Sequence, residues 1–470
     1  MAGYQQLVRG EPFTPNKPER LELVMPDVCH TFRPGNLLPQ GGLFQRERAA
    51  LTGLRRARPC RDRVLEKRRE EKAMKARSWI GLMLAVLAWG ALVRAGCAQD
   101  DRIVIGEKIK LRSAVLDEDR TLQISLPDRY QNSRERYPVV YVLDGEGQFA
   151  QAVGAVRFLG KVNKMAQAIV VGIPNTNRNR DLSPPTANPE DLKKLPGGGG
   201  AERFLAFLTD ELGPYIDAHY RTWPFRILFG HSGAGLFVIH TFLVRPAAFG
   251  ACIASSPALF WNDNGETRSA ERILAAEPAR RGVLFLSRGQ ETELMARNLA
   301  PFVKVLQDRA PRGLRWKFEI FAEESHESSP HRAIYNGLEF IYQGWSFDFA
   351  FLYEESDPKK KAFTAGVLVD HYRKLSAAFG YDCRPAESYY NSVGYDLLRY
   401  DLARQNSIAP AIELFKANVL FYPESSNAYD SLAEGYMIAG DRERAIANYE
   451  KSLALNPKNS NAAEQLKKLK

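Results

Sequence analysis

Arg226-Ile-Leu-Phe-Gly-His-Ser-Gly-Ala-Gly235, followed at once by Leu236-Phe-Val-Ile-His-Thr-Phe-Leu243, decides the fold. Arg226 to Phe229 is a short, largely apolar run that reads as a strand, and the stretch from Leu236 reads as a helix. A strand that turns into a helix over so few residues strains the backbone of its central residue. It also crowds the Cβ atoms two positions to either side. Gly230 and Ala234 supply the small residues this demands. Ala234 departs from the usual glycine by one methyl, and Gly235 beside it is expected to relieve the crowding. Ser232, at the tip of the turn, is therefore the candidate nucleophile.

Outward from this turn, short β-type runs alternate with longer helical patterns, which predicts an α/β fold with a mostly parallel central sheet. Strands are expected over Tyr137 to Leu143, Ala168 to Ile173, Arg226 to Phe229, Cys252 to Ser255, Val283 to Ser287 and Trp316 to Phe321. Ile103 to Arg112 and Thr121 to Leu126 alternate more and read as an antiparallel start at the sheet edge. Phe204, Leu208, Leu212 and Ile216 recur at four-residue steps and predict a helix between Ala201 and Tyr220.

A serine hydroxyl is a weak nucleophile until a base takes its proton, and an acid must orient that base. Four histidines follow Ser232: His240, His326, His331 and His371. His326 lies in a polar loop directly after the strand at Lys317 to Phe321, where a base is expected. His331, five residues on, is read either as a substrate contact or as solvated, with the solvated reading favoured. The acid should follow the preceding strand, in Arg288-Gly-Gln-Glu-Thr-Glu293, which leaves Glu291 and Glu293 open with Glu291 favoured. Attack on a carbonyl creates an oxyanion, for which backbone N–H donors are needed. Gly233 is one candidate donor. Gly145 or Glu146, in the turn Asp144-Gly-Glu-Gly-Gln148, is the other.

Several blocks in this order resemble the esterase family that contains esterase D and the siderophore esterases. They are Tyr137-Pro-Val-Val-Tyr-Val-Leu-Asp-Gly-Glu146, Ile169-Val-Val-Gly-Ile-Pro-Asn175, Asn179-Arg-Asp-Leu-Ser-Pro184, Gly230 to Gly235, Ser255-Ser-Pro-Ala258 and Glu324-Ser-His326. The resemblance covers roughly residues 108–345. It implies an α/β-hydrolase fold and hydrolysis of carboxylic esters through an acyl-enzyme, with a triad on Ser232, His326 and Glu291. Arg180, Asp181 and His231 are expected on the substrate side. Similar proteins act on catecholate siderophores, feruloyl or acetyl-sugar esters and small thioesters, and related folds include acyltransferases. No cofactor or metal is expected. The Pro- and Gly-rich stretch from Asp181 to Gly200 is read either as a substrate-side lid or as a surface loop; without Gly-Lys-Ser/Thr it is no phosphate loop.

After Trp345 the pattern becomes helical, and two windows align at an offset of 34 residues: Tyr395 with Tyr429, Leu398 with Leu432, Ala411 with Ala445, Ile412 with Ile446, Phe415 with Tyr449, and Pro423 with Pro457. That period resembles tetratricopeptide repeats. It predicts a small all-α region over residues 390–470, behind a helical connector at 351–389 and a catalytic domain at 99–350. The repeat region is either a groove for a protein partner or a structural appendage.

The net charge of +10 sits at the front of the chain. Residues 1–73 carry 15 Lys and Arg against 9 Asp and Glu, and Lys75, Arg77 and Arg94 add to that excess, so the chain beyond residue 98 is nearly neutral. Such a surface offers no footprint for nucleic acid. Met74-Lys-Ala-Arg-Ser, the apolar run Trp79 to Val93 and Arg94-Ala-Gly-Cys-Ala98 have the three-part layout of a secretory signal cut after Ala98. Translation is accordingly expected to start at Met74, with residues 1–73 a gene-model extension and the product periplasmic or secreted. Membrane attachment would follow only from an uncleaved signal or a lipidated Cys97. The five cysteines form no disulfide framework, and Cys252 reads as a buried core thiol. A scaffold protein acting through its helical repeats is the non-enzymatic alternative.

Overall fold

The computed structural model describes residues 103–128, 130–354, 357–400 and 407–470. The expected leader at 1–73, the signal at 74–98 and the question of Cys97 lie outside them. The described chain opens with the antiparallel strands β1 (Glu107–Ser113) and β2 (Glu118–Ser125). It continues through β3 (Tyr137–Leu143), α1 (Gly145–Lys161), β4 (Ile169–Ile173), and the short helices α2 (Arg178–Leu182) and α3 (Pro189–Lys194). Where one helix is expected, α4 (Ala201–Ala206) and α5 (Gly213–His219) flank a π-helical turn at Phe207–Leu212. Then come β5 (Thr222–His231), α6 (Gly233–Val244), β6 (Ala251–Ser255), α7 (Gly265–Ala276), β7 (Gly282–Gln290), α8 (Glu293–Arg309), β8 (Leu314–Ser325) and α9 (Ser329–Ile341).

These strands form one eight-stranded sheet in the order β1-β2-β4-β3-β5-β6-β7-β8. From β4 to β8 every pairing is parallel, and the antiparallel pairs are confined to the β1 and β2 edge. All residues of β3, β4 and β6 are buried, as a parallel sheet covered on both faces requires. Alternate side chains serve alternate faces. Val140, Val142, Ile227, Phe229 and Ile253 pack with α1 and α9, whereas Tyr141, Leu143, Leu228, Cys252 and Leu286 pack with α4 to α8.

The remainder is helical: α10 (Pro358–Ala362), α11 (Ala365–Phe379), α12 (Glu387–Tyr400), α13 (Ile408–Phe421), α14 (Ser426–Ile438), α15 (Arg442–Leu455) and α16 (Ser460–Leu469). From α12 onward each helix packs against the next. Helices α13 and α15 have equal length and start 34 residues apart. Their matched positions Ala411 and Ala445, and Phe415 and Tyr449, are all buried. Helix α11 joins this region to the sheet. Its Tyr372 hydroxyl accepts from Asn163 Nδ2 at 3.1 Å, and Asn163 Oδ1 accepts from Trp345 Nε1 at 3.2 Å. Tyr372, Trp345, Phe415 and the α1-facing strand residues share one hydrophobic cluster. No helix among the described residues is long and apolar enough to cross a membrane.

Candidate active site

Strand β5 ends at His231 and α6 begins at Gly233, so Ser232 alone makes the turn, at φ 58° and ψ −116°. No L-residue adopts this conformation without strain, and the surroundings hold it there. Ser232 N donates to Ser255 O at 2.9 Å, and Ser232 O accepts from Leu236 N at 2.9 Å and Ala258 N at 3.1 Å. A Cβ on residue 230 would stand 2.5 Å from Ala234 O, which demands glycine. On residue 235 it would stand 2.9 Å from Ser255 O. The methyl of Ala234 is itself fully buried in the core, so the crowding falls on Gly230 and Gly235 instead.

The parallel register then brings the other groups to the same sheet edge, because Glu291 follows the last residue of β7 and His326 the last residue of β8. Ligand and catalytic groups collect beyond the carboxyl ends of such strands. His326 Nδ1 lies 2.6 Å from Glu291 Oε2; a carboxylate can only accept here, which assigns the proton to Nδ1 and leaves Nε2 as the basic nitrogen. The Glu291 side chain is 2% exposed and that of His326 26% exposed. Glu293, the other candidate acid, is the exposed first residue of α8 and makes no hydrogen bond or ion pair with the histidine. Among the described residues the Ser232 hydroxyl takes no hydrogen bond. The imidazole of His326 nevertheless packs on the residue preceding it, with the His231 and His326 ring centroids 4.5 Å apart.

His231, expected from the sequence on the substrate side, is 7% exposed. It is buried behind the ring of His326, and burial together with the neighbouring imidazole pushes its pKa down to about 4. Arg180 and Asp181 are likewise taken up elsewhere. Asp181 is buried and bonds Arg120 at 2.6 Å and Arg180 at 2.7 Å, while Arg180 reaches Glu118 on β2 at 2.7 Å. That network ties α2 to the sheet edge instead of to the serine. His240, inside α6, is bracketed by Glu266 at 3.1 Å and Glu202 at 3.0 Å. His331 is exposed on α9, and Cys252 and Cys383 are buried free thiols.

The guanidinium beside the nucleophile belongs to Arg178, a residue the sequence reading passed over. It grips Asp144 with two bonds of 2.8 and 2.9 Å, and a Cβ on Gly233 would lie 3.1 Å from its Nη1. Asn175 bridges Asp144 and Glu146, each at 2.7 Å. As first-turn groups, the N–H donors of Gly145, Glu146 and Gly233 have no acceptor in their own helices. Gly145 also packs tightly on β4, since a Cβ there would stand 2.7 Å from Ile173 N. The segment 181–200 is bolted down: Pro184 O accepts from Trp261 Nε1 at 2.8 Å, and Asp191 from Asn262 N at 2.7 Å. Between this segment and the elbow lies a small cleft lined by Arg178, Leu182, Leu195, Gly233, Leu236 and Trp261. No group of three or more acidic, His or Cys side chains among the described residues could hold a metal.

Two further serines adjoin the pair of acid and histidine. Ser256 Oγ donates to Glu291 Oε1 at 2.5 Å, and Ser329 Oγ donates to His326 O at 3.1 Å. The sequence signal for the first of these is the block Ser255-Ser-Pro-Ala258, at the end of the otherwise apolar β6.

The chain is similar to the ferri-bacillibactin esterase BesA of Bacillus subtilis, with 38% identity over 142 residues, covering 27% of this chain and 49% of that protein. It is also similar to a siderophore triacetylfusarinine C esterase of Aspergillus fumigatus, with 31% identity over 156 residues, covering 30% and 52%. The chain spans about half the length of the curated relatives it matches. Among solved structures, an IroE-like serine hydrolase from Shewanella oneidensis aligns with a TM-score of 0.57 and 27% identity, covering 67% of this chain and 99% of that one. Residues 113–340 match the family described as "Putative esterase".

Proposed function

We propose that this protein is a serine esterase that cleaves carboxylic esters through an acyl-enzyme on Ser232. The observation that carries this reading is the pairing of His326 Nδ1 with the buried Glu291 carboxylate, at the same edge of the sheet as a strained serine turn. In the reaction, Nε2 of His326 takes the Ser232 proton as Oγ attacks the ester carbonyl. Glu291 offsets the positive charge that appears on the imidazole. The oxyanion is met by the N–H groups of Gly233 and of Gly145 or Glu146, with the Arg178 guanidinium nearby. Collapse expels the alcohol with the proton from Nε2, and water repeats the sequence to release the acid. In free enzymes the serine-to-histidine bond often tightens only when substrate arrives.

The substrate class we favour is a siderophore ester, because the named relatives carry that activity and the cleft places a cation beside an apolar slot. We further propose that residues 390–470 are tetratricopeptide-like repeats, on the 34-residue recurrence and the matched burial of α13 and α15. Export through residues 74–98 completes the reading. The test is a fluorophosphonate probe and p-nitrophenyl acetate on the wild type and Ser232→Ala. Labelling and turnover confined to the wild type support the enzyme, and equal, absent reactivity in both defeats it.

A further inference from the structure

We infer that Ser256 is a positioning residue of this site: its hydroxyl holds the oxygen of Glu291 that His326 does not use, and so sets the plane of the carboxylate. The inference rests on the serine esterase reading above. A buried carboxylate needs partners at both oxygens. At 2% side-chain exposure Glu291 draws little from solvent. Its Oε2 faces His326 Nδ1 at 2.6 Å, and its Oε1 accepts from Ser256 Oγ at 2.5 Å. With one partner the carboxyl group is free to turn about its last, broad torsion. With both, position and rotation are determined together.

Ser256 is itself held. It adopts φ 46°, a left-handed conformation that is costly for a non-glycine residue, and its N–H donates to Ser287 O on β7 at 2.7 Å. It is 1% exposed. Ser329 Oγ lies 3.3 Å from Ser256 Oγ and donates to His326 O, so the two serines border both members of the pair. A serine kept in an unfavourable backbone region, bonded to the back of a buried acid, is explained by the demand that the acid not rotate. When His326 becomes an imidazolium, a carboxylate that stays in place stabilises it and one that has turned away does not.

The test compares Ser256→Ala with Ser256→Gly in the full chain. Glycine accepts a positive φ without strain, so the pair separates the hydroxyl from the backbone. Both variants are expected to lower kcat on p-nitrophenyl acetate roughly tenfold to a hundredfold, the loss expected of a hydrogen bond to a charged group, with KM within about twofold. Both should also shift or broaden the low-field proton resonance of His326 Nδ1. A Ser256→Gly protein with wild-type kcat and an unchanged resonance overturns the inference, as does loss in the alanine variant alone, which would indict the backbone. If the wild type hydrolyses no ester, the esterase reading fails on its own. The Nδ1 resonance then still decides whether Ser256 holds the pair.

Discussion

The imidazoles of His231 and His326 lie 4.5 Å apart, centroid to centroid, and they differ in role because they differ in surroundings. His231 is buried with its Nε2 unpartnered, whereas His326 is partly exposed and bonded to a carboxylate. Two positive rings cannot share this space, and the buried one stays neutral, with its pKa pushed down to about 4.

This makes stability fall on the acid side. The unfolded chain binds a proton at His231 near pH 6.5, but the folded chain resists it until about pH 4. Stability from this residue is therefore present above pH 6.5 and lost as pH falls toward 4, by roughly 3 kcal/mol at full extent. Urea titrations between pH 7 and 4.5 should show a shallower loss in His231→Phe than in the wild type; identical slopes would contradict the assignment.

His240 should act in the opposite sense. Although burial opposes its charge, the carboxylates of Glu266 and Glu202 raise its pKa above the ordinary value. Its contribution is fully present below about pH 6.5 and is lost as pH rises through the folded pKa. His240→Gln should flatten the alkaline side of the stability profile, from pH 6.5 to 9, with little change in kcat under conditions where the protein is folded.

The two candidate acids separate by mutation. Glu291→Gln should lower kcat by about 10³- to 10⁴-fold, since the imidazolium loses its counter-charge and the ring its tautomer. Glu293→Gln, on an exposed helix start, should stay within about twofold of wild type. The reverse pattern in steady-state ester hydrolysis would move the acid to Glu293.

At the elbow, Gly230→Ala forces a methyl to 2.5 Å from Ala234 O. Either α6 shifts away or the turn opens. The expected cost is about 1–3 kcal/mol in unfolding free energy, with near-complete loss of fluorophosphonate labelling. Labelling at the wild-type rate would mean the turn is not cramped.

The helical region should be energetically continuous with the sheet. Tyr372→Ala removes a buried ring from the cluster that joins α11 to α1 and should cost about 3–5 kcal/mol. One cooperative transition at lower denaturant is expected. Loss of the helical signal alone, with ester hydrolysis retained, would show two independent units.

Sequence by itself determined the strands, the turn at Ser232 and the place of His326, because hydrophobic period, small-residue spacing and position after a strand are local properties. It also marked the 34-residue recurrence of α13 and α15. The acid was half-legible: Glu291 and Glu293 differ in sequence by one intervening residue. The register of β7 against β8 sets Glu291 beside the imidazole and leaves Glu293 on a helix start, a difference that no local reading carries. Arg180 and Asp181 carried no sequence sign that they would join an ion-pair network at the sheet edge, nor His231 that it would be buried against the ring of His326. Likewise nothing local marked Arg178, and nothing local tied Ser256 to the acid, since each acquires its place through contacts with residues 34 and 35 positions away. Which polar group faces a cleft and which is sealed in the core is decided by how layers stack, and that is a property of the whole fold.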